Sequence, residues 1–252
     1  MNMYGTMLIS GNGVEVDKKE AARMFQKAIS KGNSNAMLNY GLMLMNGDGI
    51  EADKKEAAKI LKMSADTGNV IAMYNYATLI YQGDGIQYNL EESFRYFKMA
   101  AEKGHSKSIT ECARFLMDGI GCEQNVKEAL KCVKKSIQKN DYEGMYLYAS
   151  WLYKGIGVEM DKKEGLMYLK KAMEKNNQNA IAFYGNLILN GDILNADLQV
   201  TLRKVKETAD NGSTFGMVSY AVAMIRVDNP VNKMEAVKYL RKAVRKGDGM
   251  AY

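Results

Sequence analysis

Gly11, Gly47, Gly83, Gly119 and Gly155 fall 36 residues apart, and each opens a short joint. The joints read Gly11-Asn12-Gly13-Val14, Gly47-Asp48-Gly49-Ile50, Gly83-Asp84-Gly85-Ile86, Gly119-Ile120-Gly121-Cys122 and Gly155-Ile156-Gly157-Val158. A weaker copy, Gly191-Asp192-Ile193-Leu194, keeps the step. Self-similarity at a fixed period of this size commits a chain to a stack of like units sharing one thin core. Seven copies start near Met1, Met37, Met73, Ile109, Met145, Ile181 and Met217, so residues 1–252 read as a single repeat array. The last copy is one residue short, since Asn232-Lys233-Met234-Glu235-Ala236 matches Asp17-Lys18-Lys19-Glu20-Ala21 only after a slip.

Each copy reads as two helices. In the first, Met37, Tyr40, Gly41 and Leu44 follow the i, i+3, i+4, i+7 spacing of one helical face. Tyr4, Tyr76, Tyr148, Tyr184 and Tyr220 recur in the column of Tyr40, with Cys112 the exception. The next column is always small: Gly5, Gly41, Ala77, Ala113, Ala149, Gly185 and Ala221, which lets a neighbouring helix approach closely. The second helix opens with a cap-former and an acid three residues on, as in Asp17 and Glu20, Asp53 and Glu56, Asn89 and Glu92, Asn125 and Glu128, Asp161 and Glu164, and Asn232 and Glu235. The first residue accepts from free backbone N–H groups and the second can reach back to it. The copy at Asp197 lacks the acid, having Val200. The helix stops at Gly32, Gly68, Gly104, Asn140, Asn176, Gly212 and Gly247, the two residue types that tolerate a left-handed C-terminal cap.

The pattern Tyr40-Gly41-x-x-Leu44-x-x-Gly47-x-Gly49-Ile50-x-x-Asp53-x-x-Glu56-Ala57, then Ser64-Ala65-x-x-Gly68 and Ala72, resembles the Sel1-like repeat (SLR), a relative of the tetratricopeptide repeat. The resemblance covers the whole chain and is strongest in five copies. It implies an all-α fold, a right-handed α-solenoid superhelix of antiparallel helix pairs. It also implies a protein–protein adaptor or scaffold in which the first helices line the concave side. A secreted branch with a disulfide in each repeat, linked to penicillin binding, is set aside because the cysteine pairs are missing.

Chemistry has little to build on. The Gly-x-Gly joints lack the Gly-Lys-Ser/Thr ending of a phosphate loop and the strand that precedes a dinucleotide loop. Asp48 and Asp84 lack the alternating acids of a calcium loop. His105, the sole histidine, reads as a solvated loop residue beside Gly104, so no histidine-based metal site or triad is expected. Ser136-x-x-Lys139 is a chance match in a lysine-rich chain. Cys112, Cys122 and Cys132 all fall in one copy; Cys112 and Cys132 read as core thiols acting as small hydrophobes. The odd count, with no basic leader followed by an apolar run, points to a reducing, cytoplasmic setting. Most of the 19 methionines read as core filling. No enzymatic activity, cofactor or metal is expected.

A net charge of +6, with basic and acidic residues interspersed, argues against a nucleic-acid stripe. The rival readings are an RNA-binding solenoid and a structural spacer within a larger protein. The expected partner is another protein or an extended peptide, with no membrane involved. Positions facing away from the first-helix core change from copy to copy while core positions repeat, as expected where a ligand rather than the fold sets them. Those columns and the one on their flank give the candidate partner-binding residues, with Tyr81 and Tyr153 added from a column that widens the apolar face. Tyr74, Tyr81, Tyr146, Tyr153 and Phe183 are aromatic anchors; Asn39, Asn75, Arg114, Lys154 and Asn186 meet backbone or acidic groups. Met1 enters at a core position with no cap before it, and Tyr252 stops one residue into a further copy. The expectation is a piece of a longer array, or ends that self-associate.

Overall fold

The computed structural model describes residues 1–83, 86–193, 198–226 and 230–246. The described residues form fourteen α-helices and no strand. They alternate as first and second helices: α1 (Asn2–Ser10), α2 (Lys18–Ile29), α3 (Ser34–Asn46), α4 (Lys54–Asp66), α5 (Val70–Gln82), α6 (Leu90–Glu102), α7 (Ser106–Asp118), α8 (Val126–Gln138), α9 (Tyr142–Lys154), α10 (Lys162–Glu174), α11 (Gln178–Leu189), α12 (Leu198–Asp210), α13 (Thr214–Arg226) and α14 (Pro230–Arg245). Two compact units result, residues 1–139 with α1–α8 and residues 140–252 with α9–α14. No helix among the described residues is long and apolar enough to cross a membrane.

The expected start and stop signals work as local chemistry. Asp17, Asp53, Asn89, Asn125 and Asp161 each accept a hydrogen bond from the amide of the acid three residues on. Asn232 does not cap. It lies inside α14, which begins at Pro230, a residue whose fixed φ and missing N–H suit the first helical turn. The expectations at Asp84, Gly85, Leu194, Asp197, Gly247 and Tyr252 lie outside the described residues. First helices carry caps that the pattern reading passed over. Asn33, Asn69, Asp141 and Asn177 accept from the amide at the third helical position. His105 does the same: its Nδ1 accepts from the Ser108 amide at 3.3 Å. It is therefore a half-buried cap with its ring 5.0 Å from that of Tyr74, not a solvated loop residue.

In the first unit each second helix buries one stripe. Ala21, Phe25, Ala57, Leu61, Ser64, Ser93, Phe97 and Ala100 are all buried. The buried hydroxyls are satisfied, Ser64 donating to the Ser34 carbonyl at 2.8 Å and Ser93 to the Ala77 carbonyl at 2.9 Å, so neither incurs a desolvation cost. The small column does what it is needed for: a Cβ added to Gly41 would lie 2.8 Å from Leu61 Cγ. Met1 and Tyr4 are exposed, because among the described residues no helix covers the outer side of α1. In the second unit Ile181, Val205, Met217, Tyr220 and Tyr239 form the corresponding core.

Second helices are tied to the joint or the second helix of the next copy by a ladder with a step of about thirty residues. Lys18 pairs with Asp48 at 2.5 Å and Lys62 with Glu92 at 2.7 Å in the first unit. Lys162 pairs with Asp192 at 3.3 Å and Lys206 with Glu235 at 2.9 Å in the second. Tyr96 donates to Asp66 and Tyr239 to Asp210, each at 2.5 Å. The Gly-x-Gly joints sit inside this ladder. A Cβ on Gly121, at φ +61, would lie 2.2 Å from the Leu90 carbonyl oxygen at the start of α6.

Candidate partner-binding surface

The first helices carry the ten candidate residues; Arg114 and Tyr81 meet in the first unit, and Tyr146, Tyr153 and Lys154 meet Phe183 in the second. In the first unit α7 projects Arg114 over α5. Its Nε donates to Glu111 at 3.1 Å, its Nη2 reaches the same carboxylate oxygen, and its Nη1 donates to the Tyr81 hydroxyl at 3.0 Å. The guanidinium carbon lies 5.0 Å from the Tyr81 ring centroid and 5.3 Å from that of Phe115. Burial opposes the charge, but Glu111 and the Tyr81 hydroxyl outweigh it and hold the guanidinium above its ordinary pKa. Three of the five N–H donors of this side chain are thus engaged, and the fork is locked in place. Beneath it Phe115 is fully buried, with Tyr81, Phe94 and Phe97 around it at 5.2, 6.1 and 5.5 Å.

The other candidates of this unit are half-buried and engaged locally. Tyr74 packs on Phe97 and on His105. Asn39 donates to Asn2 at 3.2 Å, and the Asn75 amide donates to the Ile71 carbonyl of its own helix at 2.8 Å. Leu38 of α3 and its counterpart Thr110 of α7 are buried.

In the second unit Phe183 of α11 is the hub. The rings of Tyr146 and Tyr153 meet it edge-on at 6.1 and 6.0 Å, and Lys154 Nζ lies 5.4 Å from its centroid. Phe183 and Tyr153 are only 6% and 8% exposed, so they form a floor rather than projecting anchors. Tyr146 is half-buried, and burial, then the nearby Glu143, pushes its phenol up to about 12. Burial also raises Tyr153, and Lys162 Nζ sits 5.1 Å from its ring centroid. Asn186 donates to Ser219 at 3.0 Å. Lys154 is the one candidate of this cluster whose side chain stands in solvent.

Pattern reading placed Glu111, the partner of Arg114, on the outward side without naming it a site residue, and passed over Lys162, which lies against the Tyr153 ring. It also missed that Cys112, Cys122 and Cys132, all free thiols, line a common cavity. Among the described residues no group of three His, Cys, Asp or Glu side chains is placed to hold a metal ion.

Capped helix pairs, Gly-x-Gly joints and a lysine–carboxylate ladder define a helical-repeat protein of the solenoid class. The profile of the Sel1 repeat matches residues 1–33, 34–69, 70–105, 106–141, 143–177 and 230–248. The chain belongs to the Sel1 repeat family. No match was found among curated protein sequences. Solved structures share the fold, among them the following three. A Sel1 repeat protein from Oxalobacter formigenes superposes with a TM-score of 0.75 at 23% identity, covering 82% of this chain and 83% of that one. A protective antigen of uropathogenic Escherichia coli, described as having an SLR fold, gives 0.66 at 24% identity over 99% of this chain. This chain spans 54% of that antigen's length. An immunity protein from Pseudomonas aeruginosa gives 0.54 at 20% identity, covering 73% of this chain and 67% of that one.

Proposed function

We propose that the chain is a protein-interaction scaffold, not a catalyst, and that it binds a protein or extended peptide on its first-helix surface. The observation that carries this is a contrast between columns. Buried positions repeat from copy to copy, whereas the outward ones change from Asn39 to Asn75, Glu111 and Leu147. Packing constraints recur with the period and a bound partner does not. The two aromatic–cation clusters supply hot-spot chemistry, with Arg114 and Lys154 as the charged groups and Tyr74, Tyr81 and Tyr146 as accessible rings. The immunity protein among the fold neighbours is consistent with a binding role.

The test is affinity capture at physiological salt, comparing the native chain with a Tyr74→Ala, Arg114→Ala, Tyr146→Ala triple variant whose helicity is checked by circular dichroism. A partner held by the native chain and lost by the folded triple variant is the expected result. Equal capture by both refutes the surface. A nucleic-acid reading rests on the basic row Lys238, Arg241, Lys242 and Arg245 of α14. Against it, Lys18, Lys62, Lys162 and Lys206 are neutralised by carboxylates. RNA retention that falls steeply with salt would be its signature. Self-association would use the apolar residues left exposed on α1 and α14, Met3 and Met234, and mass measured on dilution tests it.

A further inference from the structure

Three other copies place two tyrosines against each other, one from each helix of the pair. Tyr76 and Tyr96 meet edge-on at 4.9 Å, Tyr148 and Tyr168 at 5.4 Å, and Tyr220 and Tyr239 at 5.0 Å. In the copy built from α7 and α8 both positions are cysteine: Cys112 stands 36 residues after Tyr76, and Cys132 stands 36 after Tyr96. Where the two rings would be there is a cavity of about 690 Å³, within the size range of small-ligand pockets. Its floor is Phe94, Ile109, Leu116 and the three thiols, all of which burial pushes to higher pKa. They are therefore neutral, polarizable walls of the kind that favours aromatic rings.

The groups that serve a tyrosine elsewhere are still present around this cavity. Tyr96 and Tyr239 donate their hydroxyls to Asp66 and Asp210; the equivalent position here is Glu102, which lines the cavity. Lys62 and Lys206 lie 5.7 and 5.5 Å from the ring centroids of Tyr76 and Tyr220. Their equivalent here is Lys98 at the rim. Lys171 and Lys242 lie 5.6 and 5.1 Å from the ring centroids of Tyr168 and Tyr239, and their equivalent, Lys135, is also at the rim. The copy has lost both phenols and kept the carboxylate and ammonium groups that surround them.

We infer that this cavity is a receptor for a phenol ring, the side chain of a tyrosine presented by a protein partner. The phenol would fill the void against the thiols, donate its hydroxyl to Glu102 and lie beside Lys98 and Lys135. Charges of both signs at the rim, with Glu128 already paired to Lys131 at 3.0 Å, suit a neutral ring rather than an anionic one. The assignment of a protein as the source rests on the scaffold reading above.

The test uses the whole chain and p-cresol, with toluene as the ring without the hydroxyl. Binding is followed by calorimetry and by protection of Cys132 from alkylation. Saturable p-cresol binding, at least about fivefold tighter than toluene, is expected, since one hydrogen bond to a charged group is worth more than that factor. Glu102→Ala should erase the preference. The Cys112→Tyr, Cys132→Tyr double variant restores the pair found in three other copies and should abolish binding while keeping the helical spectrum. No saturable binding at millimolar p-cresol, or binding unchanged in the refilled variant, overturns the proposal. A protein captured by the native chain should be lost by the refilled variant. Its retention there would exclude a protein tyrosine as the source. The triple alanine variant leaves the cavity intact, so failure of the first-helix surface would not remove p-cresol binding.

Discussion

Phe115→Ala probes the joint between core and surface. The ring is fully buried, touches the rings of Tyr81, Phe94 and Phe97, and supports the Arg114 guanidinium. Truncation of a buried phenylalanine costs about 3–5 kcal/mol in transfer and cavity terms. Three rigid ring neighbours collapse poorly into the void, which puts this site at about 4 kcal/mol. With a urea dependence of roughly 2 kcal/mol per M, the midpoint of the first unit should fall by about 2 M. Circular dichroism follows the whole chain. Trp151, the sole tryptophan, is buried in the second unit and reports there by fluorescence. In a repeat protein stability is a sum of unit and neighbour terms. The fluorescence midpoint should therefore move less than the dichroism midpoint. Because Arg114 and Tyr81 lose their support, partner capture should weaken at urea concentrations where the variant is still folded. A midpoint shift below about 0.5 M would refute the claim that ring packing holds this cluster.

Four further outcomes are expected. Gly121→Ala, with its Cβ against the Leu90 carbonyl oxygen and a left-handed backbone, should cost at least about 2 kcal/mol in a denaturation experiment. Gly191→Ala, where no atom lies within 4 Å of the added carbon, should cost only about 1 kcal/mol of backbone strain. His105→Ala should cost about 1 kcal/mol through loss of the α7 cap, and His105→Asn should recover most of it, since asparagine serves at the equivalent positions 33, 69 and 177. Alkaline pH should destabilise the fold. Burial, then Glu143 for Tyr146 and Asp210 for Tyr239, raises both phenols to about 12 in the folded chain, against an ordinary value near 10. Their contribution is complete below pH 10 and is lost as pH rises from there toward 12, by at most about 1.4 kcal/mol per pH unit for each. Urea midpoints that stay level across that window would contradict it.

The helix pairs, their caps and the Gly-x-Gly joints were legible because each depends on residues within a few positions of one another, and repetition averages out the exceptions. Asp17 caps Glu20 and Gly47 takes a left-handed φ whatever the neighbouring copy does. The period even held the caps of Asn33, Asn69 and His105, which a column comparison would have exposed. Pro230 decided the start of α14 against a pattern match at Asn232. The candidate surface was only half legible. Spacing put Tyr81, Arg114, Tyr153 and Phe183 on first helices, but it could not say that Phe183 and Tyr153 would be covered while Lys154 stayed in solvent. That depends on how a side chain meets the next copy, 33 to 37 residues away, as Arg114 does on Tyr81 and Asn39 on Asn2.

The amino-acid sequence alone determined the class of fold, since a 36-residue period with caps at both ends of each second helix leaves few alternatives to stacked helix pairs. Tertiary structure decided which side chains are spent on holding copies together and which remain for a ligand. Lys62, Tyr96 and Asp66 are spent in the ladder. Their counterparts Lys98, Cys132 and Glu102 surround a void. The physical reason is that packing is a property of pairs. A cysteine in a tyrosine column is a small change along the chain, and it becomes a cavity only because the facing column carries the same change.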